Sequence, residues 1–248
     1  MLGIISAMPE EINLLLSRMI ERQESELGMR KYYRGKIFGK DVVLTYSRIG
    51  KVAAAATVIT MILNYNVEKI LFSGVAGSIS RNFNIGDVII AKRLIQHDMD
   101  ASPIFPKFEI PLLGKSFFET DIELSRKLLQ AANIFVDNIR RYIPRNLLKK
   151  FNIQSIKVSR GDIASGDQFI SDKTKHYEIK QSLPSVVCVE MEGAAVAQVC
   201  YEYSLPFAVL RTISDNADHN AEIDFNQFLK TIASRYSTGI LEILFSLI

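Results

Sequence analysis

The chain has 248 residues, 48% of them hydrophobic, with a net charge of +3 and two cysteines. That length and apolar content suit one large α/β domain over residues 1–248 better than two small ones, and no Gly/Pro/Ser-rich linker, low-complexity tract or internal repeat divides it. The charge is too small to imply a nucleic-acid partner by itself, no membrane partner is expected, and Cys188 and Cys200 sit in apolar surroundings that suit buried hydrophobes rather than a disulfide.

The start, Met1-Leu-Gly-Ile-Ile-Ser-Ala-Met-Pro-Glu-Glu11, has no basic leader and turns acidic where a signal peptide would stay apolar, so a cytoplasmic protein is expected. Leu2–Ser6 predicts a short strand. Pro9 suits a first helical turn, with Glu10 and Glu11 beside the positive helix terminus and the helix running to about Arg18. Gly35–Phe38 and Val42–Tyr46 read as strands around a Gly39-Lys40 turn, and Gly50–Leu63 as an Ala-rich helix. Lys69–Phe72 is the next strand, Gly74-Val-Ala-Gly77 a tight small-residue turn, and Asp87–Ala91 a further strand. Residues 121–150 read as helix in two pieces, and Ile156–Ile163 as extended chain. Within the former, Arg140, Arg141, Arg145, Lys149 and Lys150 alternate with apolar residues as a solvated helical face would. An apolar strand ending at Val189-Glu190 leads into a small-residue helix. Leu205–Asp215 is another strand, and Asp224–Phe245 an amphipathic terminal helix with Asp224 as its N-cap. The sum is a mixed, largely parallel sheet flanked by helices.

Acidic groups gather where these strands end: Glu190 and Glu192 after one, Arg211, Ser214 and Asp215 at the close of another. Ligands of open α/β sheets bind outside the carboxyl ends of the strands. Each acid taken alone also fits a helix cap or a solvated loop charge, the better reading for Glu190. Glu192 and Asp215 follow runs that should be buried, which favours function. The Gly74–Gly77 segment lacks the Lys-Ser/Thr ending of a phosphate loop and the third glycine of a dinucleotide fingerprint, and no Gly-x-Ser-x-Gly elbow occurs. His97, His176 and His219 are scattered, so no metal site is expected. What remains is acid/base chemistry on Glu11, Glu192 and Asp215, helped by Arg211.

Met8-Pro-Glu-Glu11, Ser47-Arg-Ile-Gly-Lys-Val52, Gly74-Val-Ala-Gly77, Ser165-Gly-Asp-Gln-Phe-Ile170, Val189-Glu-Met-Glu192 and Arg211-Thr-Ile-Ser-Asp215 occur in the order found in the 5′-methylthioadenosine/S-adenosylhomocysteine nucleosidases. The chain resembles that branch of the nucleoside phosphorylase/hydrolase superfamily over nearly its full length. The resemblance implies a partly barrel-like sheet, a homodimer, no cofactor, and hydrolysis of the bond joining adenine to a 5′-thio-substituted ribose. By the same resemblance Glu11 activates water, with Arg211 nearby to orient it. Met191 and Glu192 meet the ribose, Phe169 stacks on adenine, the Ile170 backbone meets the purine edge, and Asp215 with Ser214 protonates N7. Met8, Ile49 and Phe225 line the alkylthio side, and Ala76, Gly77 and Glu190 belong to the same substrate surface.

Two departures from the family pattern stand out: Val75 occupies the place of a usual serine, and residues 119–159 are longer and more basic. The loop 97–111 lies where the family reaches into a neighbouring subunit, with Ile104, Phe105 and Phe108 as the apolar residues available. A phosphorylase is the alternative enzyme. Related phosphorylases carry an arginine where this chain has Phe72, which argues for water as nucleophile. A binding protein on a degenerate nucleosidase fold, using the basic 126–150 segment, is the alternative of another class.

Overall fold

Strand β1 (Leu2–Ser6) is buried along its whole length because it lies between two parallel neighbours, β4 (Lys40–Tyr46) and β5 (Lys69–Ser78). The computed structural model describes residues 1–218 and 221–248; His219 and Asn220 lie outside the described residues. From β5 the sheet runs one way through β1 and β4 to an outer hairpin, β2 (Ile20–Leu27) and β3 (Arg30–Ile37). The other way it closes on itself: β5 pairs with both β9 (Val186–Glu190) and β10 (Phe207–Asp215), which are joined through β6 (Val88–Gln96) and β8 (Val158–Ser165). The expected partly barrel-like sheet is therefore a ring of β5, β10, β6, β8 and β9 with an open extension through β1, β4, β3 and β2. A short strand, β7 (Phe117–Glu119), adds to β6.

The two largest apolar cores cover the faces of the sheet. Helices α1 (Pro9–Ser17) and α3 (Ile122–Asp137) pack with the C-terminal helices on one side through Ile12, Leu15, Leu128 and Phe135. On the other, α2 (Lys51–Tyr65) and α7 (Gly193–Glu202) pack together through Ala54, Val58, Val196 and Cys200. Alternation along β1 serves both cores, with Ile4 on the first and Ile5 on the second.

The structure departs from the sequence reading in several places, each for a physical reason. The predicted strand at Gly35–Phe38 is the end of a longer β3 that begins at Arg30. Its partner β2 is exposed at every position, so its sequence Ile-Glu-Arg-Gln-Glu-Ser-Glu-Leu carries no burial pattern. Gly74–Gly77 is not a turn: it continues β5 to Ser78, in register with Arg211–Asp215 of β10. Residues 121–150 form three helices, α3, α4 (Ile139–Tyr142) and α5 (Arg145–Lys150), interrupted near Asn138 and Pro144. Helix α6 (Lys173–Ser182) was not anticipated because it buries only Ile179.

The terminal helix starts earlier than predicted. Helix α8 (Ala221–Phe228) passes through a π turn (Leu229–Ala233) into α9 (Ser234–Leu247), and Asp224 lies in the first turn of α8 rather than capping it.

Candidate active site

The carboxyl ends of β1, β4, β5, β8, β9 and β10 converge on one cleft of about 290 Å3, with α8 contributing Phe225. This is near the lower bound of the ~300–1,000 Å3 typical of small-ligand pockets. Glu11, Arg211 and Asp215 line it, as do Glu190, Met191 and Glu192. So do Met8, Ile49 and Phe225, the strand residues Ala76 and Gly77, and Phe169, Ile170 and Ser214. Residues 217 positions apart, Met8 and Phe225, thus meet at one place.

Glu11 is 2% exposed, and its carboxylate turns back over the start of α1. It accepts from the backbone N–H groups of Ala7 (2.8 Å), Met8 (2.9 Å) and, across the cleft wall, Val75 (3.1 Å). Burial pushes its pKa up, while the Arg211 charge and these three N–H groups pull it back. Gly74 makes the approach possible, since a Cβ there would stand 2.9 Å from Glu11 Oε1 and 3.1 Å from Arg211 Nη1. The glycine is needed for its missing side chain, not for a turn.

Arg211 is 1% exposed, lies over the Phe72 ring at 4.0 Å, and donates to Glu190 Oε2 at 2.6 Å. Phe72 thus shields a guanidinium where a phosphorylase would need an exposed cation. Glu190 also accepts from the Gly193 N–H at 2.8 Å, the Glu192 N–H at 3.2 Å and the Ser165 hydroxyl. It therefore does cap α7, while neutralising Arg211. The contacts that orient Glu11 are backbone N–H groups, and Arg211 acts on it through its charge.

Glu192 stands at the N-cap of α7 and accepts from the Gly50 N–H at 2.9 Å. Burial first, and then the neighbouring Glu190 charge, push its pKa up to about 8. Asp215 owes its position to a bulge in β10: Ile213 pairs with Ala76 and Asp215 with Gly77, leaving Ser214 as the extra residue. The bulge breaks the strand's alternation, so that adjacent Ser214 and Asp215 both reach the cleft. Asp215 accepts from the Ala217 N–H (2.9 Å) and the Ser214 hydroxyl (2.8 Å). Burial outweighs these bonds and pushes its pKa up to about 6. Gly77 leaves room for it, because a Cβ would lie 2.7 Å from Asp215 Oδ1.

The remaining wall is apolar. Phe169 and Phe225 meet edge to face at 5.5 Å, with Phe169 44% exposed. Ala7, Gln168 and Val189 also line the cleft and were not singled out from sequence. Ala7 works through its N–H, which no residue-type pattern reveals. The cleft thus assembles three carboxyl groups whose pKa values burial raises, Glu11 under three N–H donors and the charge of Arg211, Glu192 and Asp215 apart from it, a set able to give and take protons near neutral pH.

Comparison with known proteins agrees with this geometry. Residues 1–246 match the family model described as the phosphorylase superfamily. The chain belongs to that superfamily. It is 34% identical over 244 residues to the 5′-methylthioadenosine/S-adenosylhomocysteine nucleosidase of Haemophilus influenzae (strain PittEE), covering 98% of each chain. It is 38% identical over 234 residues to the aminodeoxyfutalosine nucleosidase of Helicobacter pylori (strain J99 / ATCC 700824), covering 94% of this chain and 93% of that one. The crystal structure of the Neisseria meningitidis 5′-methylthioadenosine/S-adenosylhomocysteine nucleosidase in complex with methylthio-immucillin-A superposes with a TM-score of 0.87 at 31% identity, covering 100% of this chain and 99% of that one. The family resemblance read from the motifs and the nucleoside phosphorylase-like fold are both borne out. These relatives support an enzyme with nucleosidase activity, and nothing in them supports the phosphorylase alternative.

Proposed function

We propose that the protein hydrolyses the N-glycosidic bond of 5′-substituted adenine nucleosides, with 5′-methylthioadenosine and S-adenosylhomocysteine as substrates. The observation that carries this reading is the pairing, across one cleft, of Glu11 among three N–H donors with Asp215 pushed up to about 6. Adenine is a poor leaving anion. Asp215, held by the Ser214 hydroxyl and the Ala217 N–H, gives its proton to N7 as the C1′–N9 bond breaks, and adenine departs neutral. Positive charge builds on the ribose, where Glu192 accepts from the sugar hydroxyls. Glu11 takes a proton from water as the water oxygen bonds to C1′, following the two-carboxylate logic of inverting glycosidases.

Phe169 stacks on the purine, Ile170 meets its edge through the backbone, and Met191 packs on the ribose. Met8, Ile49 and Phe225 take the 5′ substituent. Adenine release assayed in phosphate-free buffer and with added phosphate tests the reading: free methylthioribose at an unchanged rate is expected, and methylthioribose 1-phosphate as the main product would overturn it.

A second substrate reading rests on the 38% identity to the aminodeoxyfutalosine nucleosidase. Ile49, on the 5′ side, is 52% exposed, which leaves that end room for a larger substituent. Comparing kcat/KM for 5′-methylthioadenosine and aminodeoxyfutalosine decides between them. Val75 puts an apolar side chain where the resemblance expects a serine near the water, so Val75→Ser should raise kcat a few-fold with little change in adenine affinity. An unchanged kcat in the folded variant would remove that role.

The proposed enzyme is a cytoplasmic homodimer. Val52 and Leu63 lie on one face of α2 and Ile104 in the 97–111 loop, all strongly exposed, as a subunit contact would require, whereas Phe108 packs on its own core. Light scattering giving a 56 kDa rather than 28.0 kDa particle is the expected result, twice the chain mass.

A further inference from the structure

Three loops that follow three different strands are tied together outside the cleft. The Lys51 ammonium, after β4, donates to Asp98 Oδ1 at 2.7 Å and to Gln96 Oε1 at 3.0 Å. The other oxygen of Asp98, after β6, accepts from the Asp167 N–H at 2.9 Å. Asp167, after β8, closes the ring by accepting from the Lys51 N–H at 2.8 Å. Two of its three links join a side chain to a backbone N–H and the third is the Lys51–Asp98 ion pair, so moving one corner strains the other two. His97 packs on the same assembly, its imidazole so close over Gly166 that a Cβ there would overlap the ring at 2.4 Å.

Two of the three corners, Lys51 and Asp167, adjoin residues that line or orient the cleft. Gly50, preceding Lys51, donates its N–H to Glu192. Its φ of +101° is one that L side chains rarely adopt, and a Cβ would sit 3.1 Å from Asp167 Oδ1. Gln168 and Phe169, following Asp167, line the purine wall. Asp98 itself does not line the cleft, and its side chain is 24% exposed.

We propose that Lys51, Asp98 and Asp167 are positioning residues that lock the purine-stacking loop to the loop that orients the ribose carboxylate, so that the two halves of a nucleoside site are set at a fixed separation. The proposal rests on the reading of the cleft as an adenine-nucleoside site. A surface ion pair has little worth for stability, typically ~0–1 kcal/mol, so the ring's consequence is geometric. Loosening it leaves Asp215 and Glu11 in place and disorders what they act on. The larger loss falls on binding at the purine wall, and a smaller one reaches kcat through Glu192.

Asp98→Asn and Lys51→Met, made separately and together, test this in the full-length protein. In Asp98→Asn, KM for 5′-methylthioadenosine and the Kd for free adenine should each rise about 10-fold while kcat changes less than about 3-fold, and the double variant should be little worse than either single one. Amide exchange should quicken together in residues 47–51 and 166–172, two loops that contain neither atom changed by Asp98→Asn. Unchanged adenine Kd with exchange altered only near residue 98, or additive losses in the double variant, would overturn the proposal. A Tm drop with KM and Kd intact would make the ring merely structural and would overturn it as well. Should Asp98→Asn fail to fold, Lys51→Met cuts the same ring from a different loop and is read by the same measurements. If the wild-type protein released no adenine, the proposed function would fall, while the exchange coupling of the two loops would still decide the ring.

Discussion

Charge gathers in two places, around Glu11, Glu190, Glu192, Arg211 and Asp215 in the cleft and along Arg140, Arg141, Arg145, Lys149 and Lys150 on α4 and α5. The five basic residues are exposed; Arg141 approaches Glu242 at 3.8 Å, and the apolar residues between them turn to the core beside α9. The cleft groups are 1–8% exposed and hold one another or backbone N–H groups at 2.6–3.2 Å. In water a charge costs little to keep; out of water each charge must be paired, hydrogen-bonded or surrendered. The protein does all three within one cleft: Arg211 is paired, Glu11 is hydrogen-bonded, and Asp215 has its ionisation pushed up to about 6. Density of charge along the chain is thus a poor guide to function, and desolvated charge a good one.

The sharpest way to break this contrast is Asp215→Asn. The amide keeps the size and can still hydrogen-bond N7 but cannot transfer a proton, so kcat on adenine nucleosides should fall by ~10²–10⁴-fold with the fold retained. A 5′-methylthio riboside with a 4-nitrophenyl leaving group should lose far less, whereas Glu11→Gln should impair both substrates. Equal loss on both by Asp215→Asn would move the acid elsewhere.

Arg211→Met comes next. It strands Glu190 in a buried site, and breaking a buried pair this way costs ~3–5 kcal/mol, read as a lower midpoint in urea. Arg141→Met, on the exposed surface, should change stability by less than ~0.5 kcal/mol. Similar midpoints for the two variants would refute the difference in environment.

A smaller effect is tied to pH. The Asp215 carboxyl binds its proton more tightly in the folded chain than at its ordinary value of 3.8, so its contribution to stability is fully present below about pH 3.8 and is lost as pH rises through about 6. Asp215→Asn removes that loss. The variant should gain on wild type between pH 4 and pH 7 by on the order of 2–3 kcal/mol, seen as thermal midpoints that diverge with rising pH. Parallel curves would show that the carboxyl is not held protonated.

The smallest expected change is at Lys149 and Lys150. Replacing both by Ser should leave adenine release unaltered and stability within ~0.5 kcal/mol per site. A drop in kcat/KM would show that the basic segment takes part in function.

How much of this was legible in the sequence depends on the kind of signal. Buried elements declared themselves: β1, the core of β5, β9 and β10 are apolar runs, and the acids that end them were found because an acid after such a run has few places to go. Exposed elements did not. β2 has no buried residue and α6 has one, so neither presents an apolar face to read. Gly74–Gly77 reads as a turn in the sequence but continues β5, because glycine permits a turn and also clears space beside a strand.

The sequence by itself determined the alternation of strands and helices, the set of acidic residues available for catalysis and, through six ordered motifs, the family. Only the tertiary structure decided what surrounds each acid. Glu190 and Glu192 are two residues apart and chemically identical, yet one is spent on Arg211 and the α7 N-terminus while the other, desolvated and beside the charge of the first, has its pKa pushed up to about 8. Asp215 reaches the cleft through a one-residue bulge set by pairing with β5, and Glu11 is held partly by the N–H of a residue 64 positions away. A carboxyl group's reactivity is fixed by what solvates it, and here the solvent is backbone brought in from distant parts of the chain.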